Sequence, residues 1–368
     1  MNSLSKSKYS LISSESRKRL FGCDLDELQM FYTDFVLPLF IEKSLIFLSQ
    51  KGVNSIGIFR KSGVKSRIQT LKEEVEEGID IDFSTVCVYD IADVVKLWFR
   101  EIVDQKTNKT KQLITQQIIS SFKQNKKEFT LCMVPDTQRA ILQIILRFLA
   151  LIANNSKVNQ MNCHNLAICW TPSLCECDGD QQLFDAQKCL EFCINNCEIL
   201  FLVSLNAYSL LTTLEDISLP RKHEATAVID CGPNDILNRI LYERHLIDVT
   251  IIEWSIGDET TQMSDTFIVR LQTSAFLPIK TMIIKRNWRI NSLNNIEVIE
   301  SGYLYESRWS LTANGEGRTL VAHMIATDLR GHSYDWYNTT FLAIHNNQLH
   351  RLSQSFLVNT NEIQVSVI

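Results

Sequence analysis

The chain has 368 residues, of which 45% are hydrophobic and 21% charged. That balance excludes a disordered or collagen-like chain, and the length fits roughly two domains. With 37 basic against 42 acidic residues the formal charge is −5, so the overall field does not favour a nucleic-acid partner, although net charge leaves local basic patches open.

The N-terminal stretch MNSLSKSKYSLISSESRKRL has no apolar core and reads as a polar leader over residues 1–19, not a signal peptide. Val36 to Gln50 is strongly apolar and predicts a helix that stops at Lys51-Gly52. A short loop, SIGIFRKSG, follows, bracketed by Gly57 and Gly63. Apolar residues at Val64, Ile68, Leu71 and Val75 then form one stripe of a helix ending near Glu77. Asp90 is the expected N-cap of the next helix, with Ile91, Val94, Val95, Trp98, Phe99 and Ile102 inward. Asp136 is expected to cap another, with Ile141, Ile144, Ile145, Phe148, Leu149 and Ile152 inward. The longest apolar run, Ile141 to Ala153, carries Gln143 and Arg147 and is too short to span a bilayer. Asn162 to Cys169 predicts a short helix ending ahead of Pro172, because the residue before proline leaves the helical region. A long helix over Leu183–Leu205 closes the helical half.

The eleven cysteines form no disulfide framework. Cys189, Cys193 and Cys197 recur every four residues and stack on one helix face. A metal or redox site and a row of small buried hydrophobes both fit this spacing, the second being the commoner case. Such thiols point to a reducing compartment and a soluble, cytoplasmic protein.

After SLPRKHE, which reads as a linker, the pattern turns to strands. They are expected at Ala225–Asp230, Asp248–Ile256, Thr266–Gln272, Ile279–Arg286, Tyr303–Thr312 and Thr319–Thr327, with turn signals such as GDET and ANGEG between them. Asp235 to Glu243 is a short helix, and a long helix over Ser333–Phe356 ends the second half. The fold class is therefore multidomain: an all-α domain followed by an α+β domain with an antiparallel sheet.

No phosphate loop, zinc-protease motif or nucleophile elbow occurs, and the seven histidines are scattered. His345 and His350 are expected to be surface or packing residues. The loop GIFRKSG stands out. Its glycines permit a sharp turn, Phe59 can anchor it, and Arg60 would then project from a rigid platform. A fixed, exposed guanidinium suits stabilisation of charge on a phosphoryl group in transit; spacing alone favours an ordinary surface arginine. Lys96 and Arg100 lie four apart on the solvent face of their helix and could grip an acidic partner. A solvated face is the commoner reading, and Asp93 could simply pair with Lys96.

The segments GIFRKSGVKSRIQTLKEE, YDIADVVKLWFRE and MNCHNLAICWTPSL together resemble the RhoGAP domain. The pairing of that domain with DILNRILYERHLIDVTIIEW, KTMIIKRNWR and MIATDLRGHSYDWYN resembles the deleted-in-liver-cancer subfamily, whose members join RhoGAP to a C-terminal START lipid-transfer domain. The resemblance implies a helical RhoGAP-like domain over 20–215, a linker over 216–223, a partial START-like helix-grip domain over 224–358 and a tail over 359–368. It implies that Arg60 is an arginine finger supplied in trans, that Lys96, Arg100 and Asn165 bind the GTPase, and that the partner is a GTP-bound Rho-family GTPase. On this reading the chain is no enzyme alone. GTP and magnesium belong to the GTPase, and this chain holds no metal or cofactor beyond a lipid in the START-like domain. It implies a cytoplasmic protein, peripheral at membrane or adhesion sites.

Three departures accompany the resemblance. IVDQKTN stands where the family usually has LPEPL, and Ser173 stands in TPSL where many members have asparagine. The START-like part is short, which predicts a sheet lacking its first strands, with an unpaired edge and apolar inner faces lining a tunnel. The alternative functions are a non-catalytic GTPase-binding scaffold, and a lipid-binding protein that uses the helical half for docking.

Overall fold

The computed structural model describes residues 19–25, 27–28, 36–104, 107, 109–126, 129–131, 134–201, 221–257, 263–302, 305–315, 317–327 and 337–357. The leader up to residue 18, residues 216–220 of the expected linker and the tail over 359–368 lie outside them. The chain divides into two compact units, one of residues 1–209 with 274–277, the other of residues 210–273 with 278–368.

The first unit is helical. Its elements are α1 (Leu39–Gln50), α2 (Lys65–Glu76), α3 (Val88–Arg100), a small hairpin β1 (Val103–Asp104) and β2 (Lys109–Thr110), α4 (Gln116–Gln124), α5 (Asp136–Asn154), α6 (Ser156–Asn159), α7 (Cys163–Leu174) and α8 (Asp180–Asn195). The inward stripes of α3 and α5 fall where the periodicity puts them: Ile91, Val94, Val95, Trp98, Phe99 and Ile102, and Ile141, Ile144, Ile145, Phe148, Leu149 and Ile152, are all buried. Their core is aromatic at its centre, with Phe99 edge-on to Trp170 at 5.7 Å between ring centroids.

The helix ends depart from expectation in instructive ways. Asp90 is not the cap of α3; Cys87 occupies that position and Asp90 sits inside the first turn. Its carboxylate is taken by long-range partners instead of its own helix. Asp136 likewise is the first residue of α5, preceded by Pro135, and pairs with Arg139. A carboxylate in the first turn still favours the helix dipole without capping it. Asn162 does cap α7, accepting from the Asn165 amide at 2.9 Å. That helix does not stop before Pro172 but runs through it to Leu174. Pro172 lacks an N–H for the Ile168 carbonyl, and Ile168 is on the exposed side, where water can replace the lost bond. The last helix is shorter than expected, and residues 202–205 of its predicted span are not among those described. Cys189, Cys193 and Cys197 are all buried, and no metal-binding cluster occurs among the described residues.

The second unit is built on a seven-stranded antiparallel sheet in the order β3-β9-β8-β7-β6-β5-β4. The strands are β3 (Arg221–Ile229), β4 (Ile251–Ile256), β5 (Ser264–Leu271), β6 (Lys280–Ile290), β7 (Ile296–Gly302), β8 (Tyr305–Ala313) and β9 (Thr319–Thr327). Between β3 and β4 lies α9 (Pro233–Tyr242), and α10 (Leu342–Gln354) closes the unit after a π-helical turn at Tyr337–Phe341. On β8, Tyr305, Ser307, Trp309 and Leu311 point inward and alternate with exposed or half-exposed residues. Against this face pack Ile236 and Ile240 of α9 and Leu349 and Leu352 of α10.

Two strand expectations need correction. Arg221 to His223, read as linker, are strand residues, paired with Thr327, Ala326 and Ile325 of β9. The strand β7 was not foreseen, because its inward positions include Glu300, which breaks the apolar alternation. The final helix was expected from Ser333, but α10 begins at Leu342; residues 331–336 are not described. No helix among the described residues is long and apolar enough to cross a membrane.

Candidate functional site

The loop between α1 and α2 is held from several sides. Gly57 adopts φ +73°, a left-handed conformation that glycine reaches without a Cβ clash. Its amide donates to the Asn159 carbonyl at 2.8 Å. Asn159 is itself fully buried, and its side-chain amide donates to the Val53 carbonyl at 2.9 Å and the Ile152 carbonyl at 2.8 Å. Phe59 also lies in the left-handed region, at φ +68°, where a bulky residue costs about 1–3 kcal/mol. Its ring is 2% exposed and lodges edge-on to Trp170 at 5.0 Å and to Phe148 at 5.9 Å. Burial of that ring offsets the backbone strain.

Arg60 follows immediately and is exposed. Its amide bonds the Gly57 carbonyl at 3.0 Å, closing the turn. Its guanidinium makes no hydrogen bond or ion pair among the described residues and lies back over Gly57, where a Cβ would sit 3.4 Å from Nη2. Both Arg60 and Lys96 bear on the Cys169 thiol, whose pKa burial nevertheless pushes up. These two cations therefore share one surface with the middle of α7.

Asn165 lies one turn before Cys169, on the same face of α7. Its Nδ2 donates to the Gln160 carbonyl at 3.1 Å and steadies the left-handed turn at Gln160 (φ +60°). Arg100 is exposed at the end of α3, one turn beyond Lys96. Thus Arg60, Lys96 and Asn165 frame one surface, and Arg100 extends it along α3. Lys96, however, is only 14% exposed. Its ammonium donates to the Phe59 carbonyl at 2.9 Å and pairs with Asp93 at 2.9 Å.

Spacing missed the groups that hold the loop. Asp90, 1% exposed, accepts the Val64 amide at 2.8 Å and an ion-paired hydrogen bond from Arg67. Asp93 accepts the Gly63 amide at 2.8 Å. Two acids three apart on a helix that crosses a glycine loop are the signal that could have found them. The IVDQKTN segment supplies β1 of the hairpin, and β2 just after it borders, with Gln112, Pro172 and Cys175 to Asp178, a groove of about 650 Å³. The groove lies towards the C-terminal end of α7, where Pro172 is about 10 Å along the helix axis from Asn165.

The second unit has a polar interior. Arg286, fully buried, makes two bonds to Asp265, at 2.7 and 2.6 Å, and a third to the Leu241 carbonyl at 2.9 Å. Glu300 accepts from the Tyr305 hydroxyl at 2.9 Å and faces Arg244 at 3.4 Å. Burial alone would raise its pKa, but Arg244, Tyr305 and Ser307 together hold it below the usual value. His323 sits between Ser307 and His345, each 2.9 Å away, and stacks on Trp309. Burial lowers the pKa of both histidines, that of His345 to about 4. The expected apolar strand faces are thus interrupted by ion pairs and a histidine pair, and His345 is a hydrogen-bonded core residue. Charged residues at inward strand positions, such as Arg286 between Ile284 and Trp288, were the available signal.

Residues 38–179 match the family model of the RhoGAP domain. That match spans α1 to α7 and includes Arg60, Lys96, Arg100 and Asn165. The chain is 23% identical to StAR-related lipid transfer protein 13 of Homo sapiens over 87% of its own length and 38% of that protein. It is 24% identical to Rho GTPase-activating protein 7 of Rattus norvegicus over 83% of its own length and 38% of that protein. These matches reach well beyond the RhoGAP segment, so the sheet-bearing unit lies within the likeness. Residues 38–179 of the helical unit thus carry the RhoGAP match, and the sheet-bearing unit falls within the likeness to the StAR-related lipid transfer and Rho GTPase-activating relatives. The chain spans 38% of the length of these curated relatives. Among solved structures, human Rho GTPase activating protein 15 is similar with TM-score 0.43 and 18% identity, over 49% of this chain and 90% of that one. The lipid transfer and protein localization domain of human StarD13 is similar with TM-score 0.35 and 22% identity, over 37% of this chain and 77% of that one.

Proposed function

We propose that the chain accelerates GTP hydrolysis on a Rho-family GTPase by supplying Arg60 in trans, so switching the GTPase off. The observation that carries this reading is an exposed guanidinium, without internal partner among the described residues, on a loop whose backbone is fixed from both sides. Charge spreads over the phosphoryl oxygens in the transition state, and a pre-positioned arginine stabilises it without reorganising. Such a finger is worth about 10³ to 10⁵ in rate. Asn165 and Arg100 flank it as GTPase-facing groups. GTP, magnesium and the glutamine that orients water belong to the GTPase, which makes this chain an activator in trans and not an enzyme alone. The START-like unit would serve as a lipid- or protein-binding module, and the place of action is cytoplasmic, peripheral at membranes.

A second reading, a GTPase-binding scaffold without catalysis, is favoured by one observation: the IVDQKTN segment supplies the first strand of a hairpin where the family carries LPEPL. Single-turnover hydrolysis by GTP-loaded Rho, with and without the chain, separates the two. Acceleration supports the activator, and binding of the GTP form at an unchanged rate supports the scaffold.

A further inference from the structure

We infer that Asp93, acting through Lys96, is a positioning residue that sets the reach of Arg60. This inference rests on the finger reading above. The carboxylate of Asp93 has two separate tasks. One oxygen accepts the Gly63 amide at 2.8 Å, fixing the loop three residues after Arg60. The other pairs with the Lys96 ammonium at 2.9 Å. Lys96 in turn donates to the Phe59 carbonyl at 2.9 Å, fixing the loop one residue before Arg60. A single acid on α3 thus clamps both sides of the finger, directly on one and through a lysine on the other.

The geometry requires such a clamp. Phe59 holds a left-handed backbone that a non-glycine residue leaves unless its surroundings over-determine it. The buried ring fixes one end of that residue, and Lys96 fixes its carbonyl. Asp93 neutralises the lysine where both side chains are largely screened, at 13% and 14% exposure. A lysine so engaged has little ammonium left for a partner. Of Arg60, Lys96 and Arg100, only Lys96 is ion-paired among the described residues.

The test is single-turnover hydrolysis by GTP-loaded Rho across a titration of the full chain, for wild type, Asp93→Ala, Asp93→Asn, Lys96→Met and the Asp93→Ala/Lys96→Met double variant, with Arg60→Ala alongside. A misplacement near 1 Å costs about 10²-fold. Asp93→Ala should therefore lower the rate at saturation by about 10- to 100-fold, while the half-saturating concentration changes less than about threefold. Asp93→Asn keeps an acceptor for Gly63 and should fall between wild type and alanine, and it carries the test if the alanine variant melts early. Lys96→Met should add less than about twofold in the Asp93→Ala background, because residues acting as one unit are not additive. Amide exchange provides a readout independent of hydrolysis: the Gly63 amide should exchange at least about tenfold faster in Asp93→Ala.

Wild-type saturating rates in both Asp93 variants overturn the inference. So do losses confined to the half-saturating concentration, or additive losses in the double variant, which would make Lys96 a direct GTPase contact. If Arg60→Ala accelerates hydrolysis as well as wild type, the finger reading itself falls. If Arg60→Ala is inactive while the Asp93 variants are normal, only the positioning role falls.

Discussion

The carboxylate of Asp90 accepts the amide of Val64 at 2.8 Å, so a buried acid on α3 fixes the point where the Arg60 loop becomes α2. Gly63 is pressed against the same residue: a Cβ there would meet Asp90 Oδ1 and come within 2.8 Å of Asp90 Cα. Loop and helix therefore meet at a distance only glycine permits.

Gly63→Ala should displace the loop or cost about 1–3 kcal/mol, the usual range for overpacking. The expected result is a lower melting temperature of the full chain with reduced GTPase activation. An alanine variant with wild-type stability and activity would mean that the close approach is not maintained in solution.

Arg286 and Asp265 form a bidentate pair with both side chains essentially buried. Removing one partner leaves the other charge uncompensated, which costs about 3–5 kcal/mol. Arg286→Ala should destabilise the sheet-bearing unit by that order in urea unfolding. An apolar pair of similar volume at both positions should restore much of the loss.

The His323–His345 pair makes the second unit acid-sensitive. Burial lowers both pKa values, that of His345 from 6.5 to about 4. Below pH 6.5 the unfolded chain binds protons that the folded pair refuses, so stability falls as pH drops from 6.5 towards 4. At about 1.4 kcal/mol per pH unit, His345 alone accounts for about 3 kcal/mol. Urea midpoints measured between pH 7 and 4.5 should fall, and His345→Gln should flatten that slope.

Thiol chemistry should divide the cysteines. Cys87 is exposed, whereas Cys175, Cys189 and Cys193 are buried, and burial raises the pKa of Cys175. For Cys193 the hydrogen bond with Cys189 and burial act together in the same direction. Among the described thiols, alkylation of the native chain at neutral pH should modify Cys87 first and leave the three buried ones intact until unfolding. Rapid labelling of Cys189 or Cys193 would contradict the packing of α8.

The helical half was largely legible in the sequence, because the stripes of α3 and α5 bury residues at helical spacing. What was not legible has a common cause. Asp90 and Asp136 look like caps by position, but long-range or local ion pairing claims them. Strand β7 escaped because Glu300 occupies an inward place that Arg244, Tyr305 and Ser307, none of them on β7, make tenable. The spacing makes Asp93 a local partner of Lys96, and the two do pair. Its bond to Gly63, thirty residues away, belongs to tertiary structure and leaves no periodic trace. Arg60 was conspicuous for the opposite reason: the glycines and aromatic that hold it are its sequence neighbours.

The most direct test is the rate of GTP hydrolysis by a Rho-family GTPase at saturating amounts of wild-type chain and of Arg60→Ala. The account predicts strong acceleration by wild type and a loss of about 10³-fold or more in the variant, with binding of the GTP form retained. Equal acceleration by the two proteins would contradict it.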